Sequence, residues 1–153
     1  LTGHENLGGD WDLEFKLGNI EAISLTANNY DSVFVAYNGS EYQLTSATTW
    51  QQAQSEAEAL GGNLVTINDA AEQAWLQDTF GGNERLWTGL TDSATEGEFA
   101  WSSGANVNYT NWSQNQPDNF GRGEDFTVFL ANGKWNDAGG NGNLRGIYRN
   151  WPR

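Results

Sequence analysis

The chain has 153 residues and a formal net charge of −13, from 20 acidic and 7 basic side chains. The length predicts one domain with a short appendage and a core that needs no staples. The charge repels a phosphate backbone and disfavours anionic membrane surfaces, which excludes nucleic-acid binding. Cysteine is absent and the one histidine is His4, so disulfides, thiol catalysis, zinc–sulfur sites and His-based triads are excluded. No apolar run is long enough to span a membrane. The chain opens on Leu1, as expected of a processed product or a fragment.

Residues 1–32 predict a unit apart from the rest. Gly8-Gly9 is a turn signal, and Trp11 to Leu17 alternates with strand period. This predicts an N-terminal β extension, with two alternatives open: the tail of a preceding domain, or a strand lent to another subunit. The main domain is expected over residues 33–153. Val33–Tyr37 predicts a strand, Asn38-Gly39 a tight turn, and Tyr42–Leu44 the returning strand. Thr49 then caps a helix carrying Trp50, Ala53, Ala57 and Leu60, and Gly61-Gly62 ends it. Leu64–Ile67 predicts a short buried strand. Asp69 with Glu72 caps a second helix, carrying Ala70, Ala74 and Trp75 to about Phe80.

Beyond Gly81-Gly82 the pattern changes. Trp87–Leu90 and Phe99–Trp101 predict short strands. Residues 102–123 are rich in Gly, Asn, Ser and Gln without a period, and a loop of that length in a compact domain is functional or disordered. Phe126–Leu130 and Lys134-Trp135 predict strands joined by Asn132-Gly133, and Arg145–Arg149 the last strand.

That loop and the strands after it gather oxygen ligands: Gln116, Asp118, Asn119, Glu124, Asp125, then Asn136 and Asp137. Carboxylates and amide carbonyls are hard donors. They suit Ca²⁺ better than Mg²⁺, which keeps its waters and takes fewer protein ligands. Singly, Asn, Asp and Gly make turns. Together, so many carboxylates without a cation carry like-charge repulsion, which favours the metal.

The segments Gln116-Pro117-Asp118, Asn119 to Asp125 and Trp135-Asn136-Asp137 resemble the calcium-dependent carbohydrate site of C-type lectin domains. The likeness extends over residues 34–150, through Tyr37–Leu44, Trp50–Ile67, Trp87-Thr88-Gly89-Leu90 and Asn111-Trp112. It implies an α+β chain with the C-type lectin fold, in which two helices flank small antiparallel sheets and a long loop binds calcium. It also implies a principal Ca²⁺ held by Gln116, Asp118, Glu124, Asn136 and Asp137, whose shell two vicinal sugar hydroxyls complete. The bond before Pro117 would be cis. An auxiliary Ca²⁺ would use Asp92, Glu96, Asn119 and Asp125. It should be weaker, because Asn119 stands where the family has Asp.

The Gln-Pro-Asp form resembles the galactose and N-acetylgalactosamine type. Phe120 stands near the place of a sugar-stacking Trp, with an inward-packed loop anchor as its alternative role. The family's disulfides would join the positions of Ala57 with Tyr148 and Phe126 with Gly140. Each missing bridge forgoes about 2–4 kcal/mol, and the lack of both resembles bacterial or viral versions of the fold.

The expected function is therefore calcium-dependent glycan binding outside the cell or on its surface, where calcium is abundant. One shallow site would need several copies, as a homo-oligomer or surface assembly, for useful avidity. A self-assembling structural or protein-binding module is the alternative. An enzyme using Asp118 and Glu124 as a glycosidase pair is disfavoured, because a calcium-bound carboxylate is a poor general acid. Asn38, Asn108 and Asn111 open N-glycosylation patterns.

Overall fold

A computed structural model describes residues 34–82 and 84–151. The β extension expected over residues 1–32 lies outside the described residues. Strands β1 (Val35–Tyr37) and β2 (Ser40–Leu44) form an antiparallel hairpin. Its turn needs positive φ at two successive residues, and Asn38 and Gly39 supply 47° and 76°.

Helix α1 (Trp50–Ala59) starts at Thr49, whose side chain accepts the Gln52 N–H. Leu60, expected on the buried face, is 47% exposed at the helix end, and Gln54 is buried instead. Gln54 is tolerated there because both ends of its amide are used. Its Oε1 accepts from Leu64 N and Ser102 Oγ, each at 3.1 Å, and its Nε2 donates to Glu58 and Asn63 at 2.7 and 2.9 Å.

Strand β3 (Gly62–Leu64) follows. It begins earlier than the expected Leu64–Ile67 strand, because Val65 turns its backbone to two neighbours at once. Val65 N donates to Ile147 O at 2.8 Å, and Val65 O accepts from Gly89 N at 2.9 Å.

Helix α2 (Ala70–Phe80) is capped by Asp69, which accepts the Glu72 N–H at 2.8 Å. Its apolar period misleads. Ala70 and Ala74 are exposed and Trp75 is half-buried, whereas Glu72, Gln73 and Leu76 are buried. Glu72 is held by Tyr42 Oη at 2.8 Å, by the Asn68 backbone and amide, and by Arg149 at 3.5 Å. A carboxylate so surrounded by donors is stable out of water.

The remaining strands are β4 (Leu86–Thr91), β5 (Ala100–Trp101), β6 (Phe126–Phe129), β7 (Trp135–Ala138) and β8 (Arg145–Asn150). They do not form separate small antiparallel sheets. One eight-stranded sheet runs β1-β2-β8-β4-β6-β7, with β3 paired to β8 and β5 to β4. The joint is a parallel pairing of Leu86-Trp87 with Arg145-Gly146 in an otherwise antiparallel sheet.

Two apolar clusters fill the faces. One gathers Tyr42, Ile67, Leu76, Trp101, Phe129 and Trp135. The other packs α1, through Trp50, Ala53 and Ala57, on Leu64, Trp87, Phe126, Val128 and Tyr148. The second cluster holds the positions where the family would carry cysteines. The Phe126 ring lies 4.6 Å from Trp50 and covers Gly140 so closely that a Cβ there would sit 2.6 Å from the ring. Ala57 is fully buried in the same cluster as Tyr148, whose hydroxyl donates to Gln43 Oε1 at 2.6 Å. Large-against-small packing thus takes the place of both cross-links.

Candidate metal centre

The β6–β7 pair presents one wall of the site. Register pairs Thr127 with Asp137 and Val128 with Asn136. The pleat buries Trp135 and Asp137 and leaves Asn136 half-exposed. The Asn136 amide folds back to donate to the Asp137 carbonyl oxygen.

The other wall is the long loop, and aromatic side chains hold it down. Trp112 and Tyr109 each meet Trp135 edge-on at 5.8 and 5.9 Å, Trp101 does the same at 5.8 Å, and Phe99 packs on Trp112 at 4.9 Å. Backbone bonds fix the register. Trp135 N donates to Asn111 O at 2.9 Å, and Ser113 N donates to Trp135 O at 2.8 Å. The loop therefore runs beside β7 immediately before Gln116. Periodicity missed Tyr109 and Trp112 as anchors because they stand in an aperiodic polar stretch. Asn111, in a glycosylation pattern, has its amide engaged with Gly133 O at 2.9 Å and with Lys134 Nζ at 2.8 Å.

From there the backbone is unusual. The Gln116–Pro117 bond is cis, and Asn115, Asn119 and Arg122 have φ of 64°, 46° and 63°. Non-glycine residues with positive φ concentrate strain, and such strain gathers where surroundings and function demand it. Asp137 supplies much of what holds the turn. Its Oδ1 accepts from Asp118 N at 3.2 Å and its Oδ2 from Asn119 N at 2.7 Å. Glu124 and Asn119 close the turn reciprocally: Phe120 N donates to Glu124 Oε2 at 2.9 Å, and Glu124 N donates to Asn119 Oδ1 at 3.2 Å.

Asp118, Glu124 and Asp137 consequently converge, each offering a carboxylate oxygen within 4.8 Å of the others. Asp137 is buried, Glu124 is half-buried and Asp118 is exposed. Burial, with the Asp137 and Asp118 charges adding to it, raises Glu124 above the ordinary glutamate pKa against the opposing pull of the Phe120 N–H. Gln116 Oε1, two residues before Asp118 on the same loop, is buried and has no hydrogen-bond partner. A buried amide oxygen without a donor is costly unless a ligand meets it. The three carboxylates converge, and Gln116 and Asn136 stand next to them in sequence with amide oxygens; donors of this all-oxygen kind fit a Ca²⁺.

The auxiliary residues are placed differently. Asp92 is buried, with Oδ2 accepting Gly97 N at 2.9 Å and Oδ1 lacking a partner. Asp125 lies alongside, its carbonyl accepting from Asp92 N at 3.2 Å and Thr91 Oγ1 at 2.6 Å. Glu96 is exposed and Asn119 is turned to Glu124. Among the described residues, the principal trio alone brings three acidic ligand atoms together within 4.8 Å. Phe120 is 79% exposed at the loop tip, outside the core.

The model of the lectin C-type domain matches residues 46–147. The low affinity immunoglobulin epsilon Fc receptor of Mus musculus is 42% identical over 89 residues, covering 58% of this chain and 27% of the receptor. The versican core protein of Homo sapiens is 38% identical over 93 residues, covering 59% of this chain and 3% of that protein. The chain thus spans 27% of the one relative's length and 3% of the other's.

Among solved structures, the mouse scavenger receptor C-type lectin carbohydrate-recognition domain superposes with a TM-score of 0.74 at 31% identity, covering 78% of this chain and 94% of that one. The cow CD23 carbohydrate-recognition domain, solved in the presence of GlcNAc2Man3 oligosaccharide, gives 0.74 at 28% identity, covering 86% and 99%. These relatives are lectin-domain and receptor proteins, not enzymes. They are animal proteins, and nothing among them supports the expected bacterial or viral origin.

Proposed function

The chain belongs to the C-type lectin domain family, and we propose that it binds glycans through a Ca²⁺ held by Gln116, Asp118, Glu124, Asn136 and Asp137. The observation that carries this reading is the convergence of three carboxylates on the loop that also holds the buried, unpartnered oxygen of Gln116. When bound, calcium offers vicinal sugar hydroxyls the coordination positions that protein does not fill. The side chains do the rest. Asp118, Glu124 and Asp137 accept from the hydroxyls, and the amides of Gln116 and Asn136 donate and accept. Phe120, exposed at the tip, presents an apolar face to the sugar ring.

A galactose-type preference is supported by the order Gln116-Pro117-Asp118. A weaker auxiliary Ca²⁺ at Asp92, Glu96, Asn119 and Asp125 is supported by the unpartnered Asp92 Oδ1. Sites of modest affinity fill where calcium is abundant, so the setting is extracellular or cell-surface, and several copies would raise avidity. The reading involves no catalytic step. Among the described residues no helix is long and apolar enough to cross a membrane.

The test is calorimetric titration of calcium into chelator-stripped protein, then of galactose and mannose into the loaded form. Calcium binding followed by a calcium-dependent galactose signal supports the reading. A mannose preference overturns the sugar assignment alone. Calcium binding without any sugar response moves the chain to a structural or protein-binding module, and no calcium binding removes the metal centre.

A further inference from the structure

Gln73, on α2, stands outside the donor set and well before its first member, Gln116, and is 6% exposed. Nothing apolar in the helix period accounts for a glutamine there. Its amide is used at both ends, and both ends reach the site wall. Oε1 accepts the indole N–H of Trp135 at 2.9 Å, and Nε2 donates to the Gly133 carbonyl at 2.8 Å. We infer that Gln73 is a positioning residue for the metal centre: it fixes the Trp135 ring, and through that ring the spacing between β7 and the ligand-bearing loop.

Trp135 is the pivot on which Trp101, Tyr109 and Trp112 all rest edge-on. Its backbone pairs with Asn111 and Ser113 on the loop, and it directly precedes Asn136 and Asp137. A rotation of the indole therefore shifts the loop anchors relative to Asp137. The Asp118 and Asn119 amides, which donate to the Asp137 carboxylate, register that shift. Gly133 O also accepts from Asn111 Nδ2 at 2.9 Å, so loss of the Gln73 donor leaves that carbonyl partnered. The arm that matters is the one to Trp135. Ligand-orienting partners of this kind change metal affinity by roughly 10–100-fold when removed.

The inference rests on the calcium reading for one readout and is independent of it for another. In calcium-free protein, amide hydrogen exchange is measured for Gln73→Met, which keeps side-chain length and removes the acceptor. Protection is expected to fall at Ser113, Asp118 and Asn119 while the amides of β4 keep theirs. Uniform loss, or none, overturns the inference, since a merely structural glutamine would loosen the core as a whole.

Calcium affinity is then measured for Gln73→Met, Trp135→Phe and the double variant, well below each melting temperature. Weakening by about tenfold for each single variant, with the double no worse than the worse single, is expected of two residues acting through one contact. Additive losses, or unchanged affinity with a lowered melting temperature, overturn it. Should Gln73→Met not fold, Trp135→Phe alone must show the selective loss of protection. If the wild type binds no calcium, the proposed function fails, and the exchange experiment still decides the role of Gln73.

Discussion

The junction under α1 and the carboxylate loop solve opposite problems. Under α1, a chain without cysteines closes its core by fitting an aromatic ring to a small partner, Phe126 on Gly140 and Tyr148 near Ala57. The indole and phenol groups of that cluster find their partners within the protein. Trp50 Nε1 donates to Thr88 O at 2.7 Å, and Tyr148 Oη donates to Gln43. At the loop, the protein gathers like charges, leaves Gln116 Oε1 unpartnered and holds three non-glycine residues at positive φ. One region is complete as it stands. The other is held at its rim by aromatic anchors and left unsatisfied at its centre, which is the arrangement expected of a part that a ligand completes.

The sharpest way to break that contrast is Asp137→Ala. Asp137 belongs to the carboxylate trio and also accepts the Asp118 and Asn119 amide N–H groups. Its loss should weaken calcium by more than about 100-fold, since even outer partners of a metal site are worth up to that much. Calorimetry reads the loss, and an unchanged affinity would remove the site from this loop. Next in size is the pair Phe126→Cys with Gly140→Cys. Oxidised against reduced, the double variant should gain about 3 kcal/mol in denaturant unfolding, the loop-closure value for some fifteen residues. Calcium loading of the wild type comes third. Binding to the native state alone at 100 times Kd adds about 2.7 kcal/mol, or roughly 5–10 °C in melting temperature for a domain of this size. Equal melting curves with calcium and with chelator would mean that the loop needs no ligand.

Which parts were legible in the sequence follows the same division. Turns and caps are local chemistry, so Asn38-Gly39, Thr49 and Asp69 could be read directly, and each does what its residue type predicts. The convergence of Asp118, Glu124 and Asp137 was legible because like charges crowded into one loop repel unless something compensates them. Hydrophobic period failed where tertiary partners override it. Glu72, Gln73 and Gln54 are buried in helices because, beside local partners, Tyr42, Trp135 and Ser102 from far along the chain meet their polar atoms. No helical window of sequence contains those three. The single mixed sheet was hidden for a similar reason, since its parallel joint pairs Leu86 with Arg145, fifty-nine residues apart.

The two smaller effects separate metal from sugar. Burial first, and then Asp137 and Asp118, raises the Glu124 pKa. The folded, calcium-free protein therefore binds this proton more readily than the unfolded chain does. Its stability should rise as pH falls through the Glu124 range, because protonation removes a desolvated charge and, with it, the repulsion from Asp137 and Asp118. The calcium-loaded protein should lose stability over the same range, because the proton competes with the metal. Melting temperatures measured with calcium and with chelator should thus converge on acidification, and in Glu124→Gln they should converge less steeply. Parallel curves would show that Glu124 is not at the metal.

The smallest effect belongs to Phe120. At 79% exposed, it contributes little to the fold, so Phe120→Ala should leave the melting temperature and calcium affinity unchanged. A ring stacked on a sugar is worth about 0.5–1.5 kcal/mol, which predicts a two- to roughly tenfold loss of galactose affinity. Phe120→Trp, with more area and a stronger quadrupole, should shift affinity the other way. A sugar affinity indifferent to both substitutions would place the ligand on the opposite side of the carboxylates, and the exposed ring would then have no part in recognition.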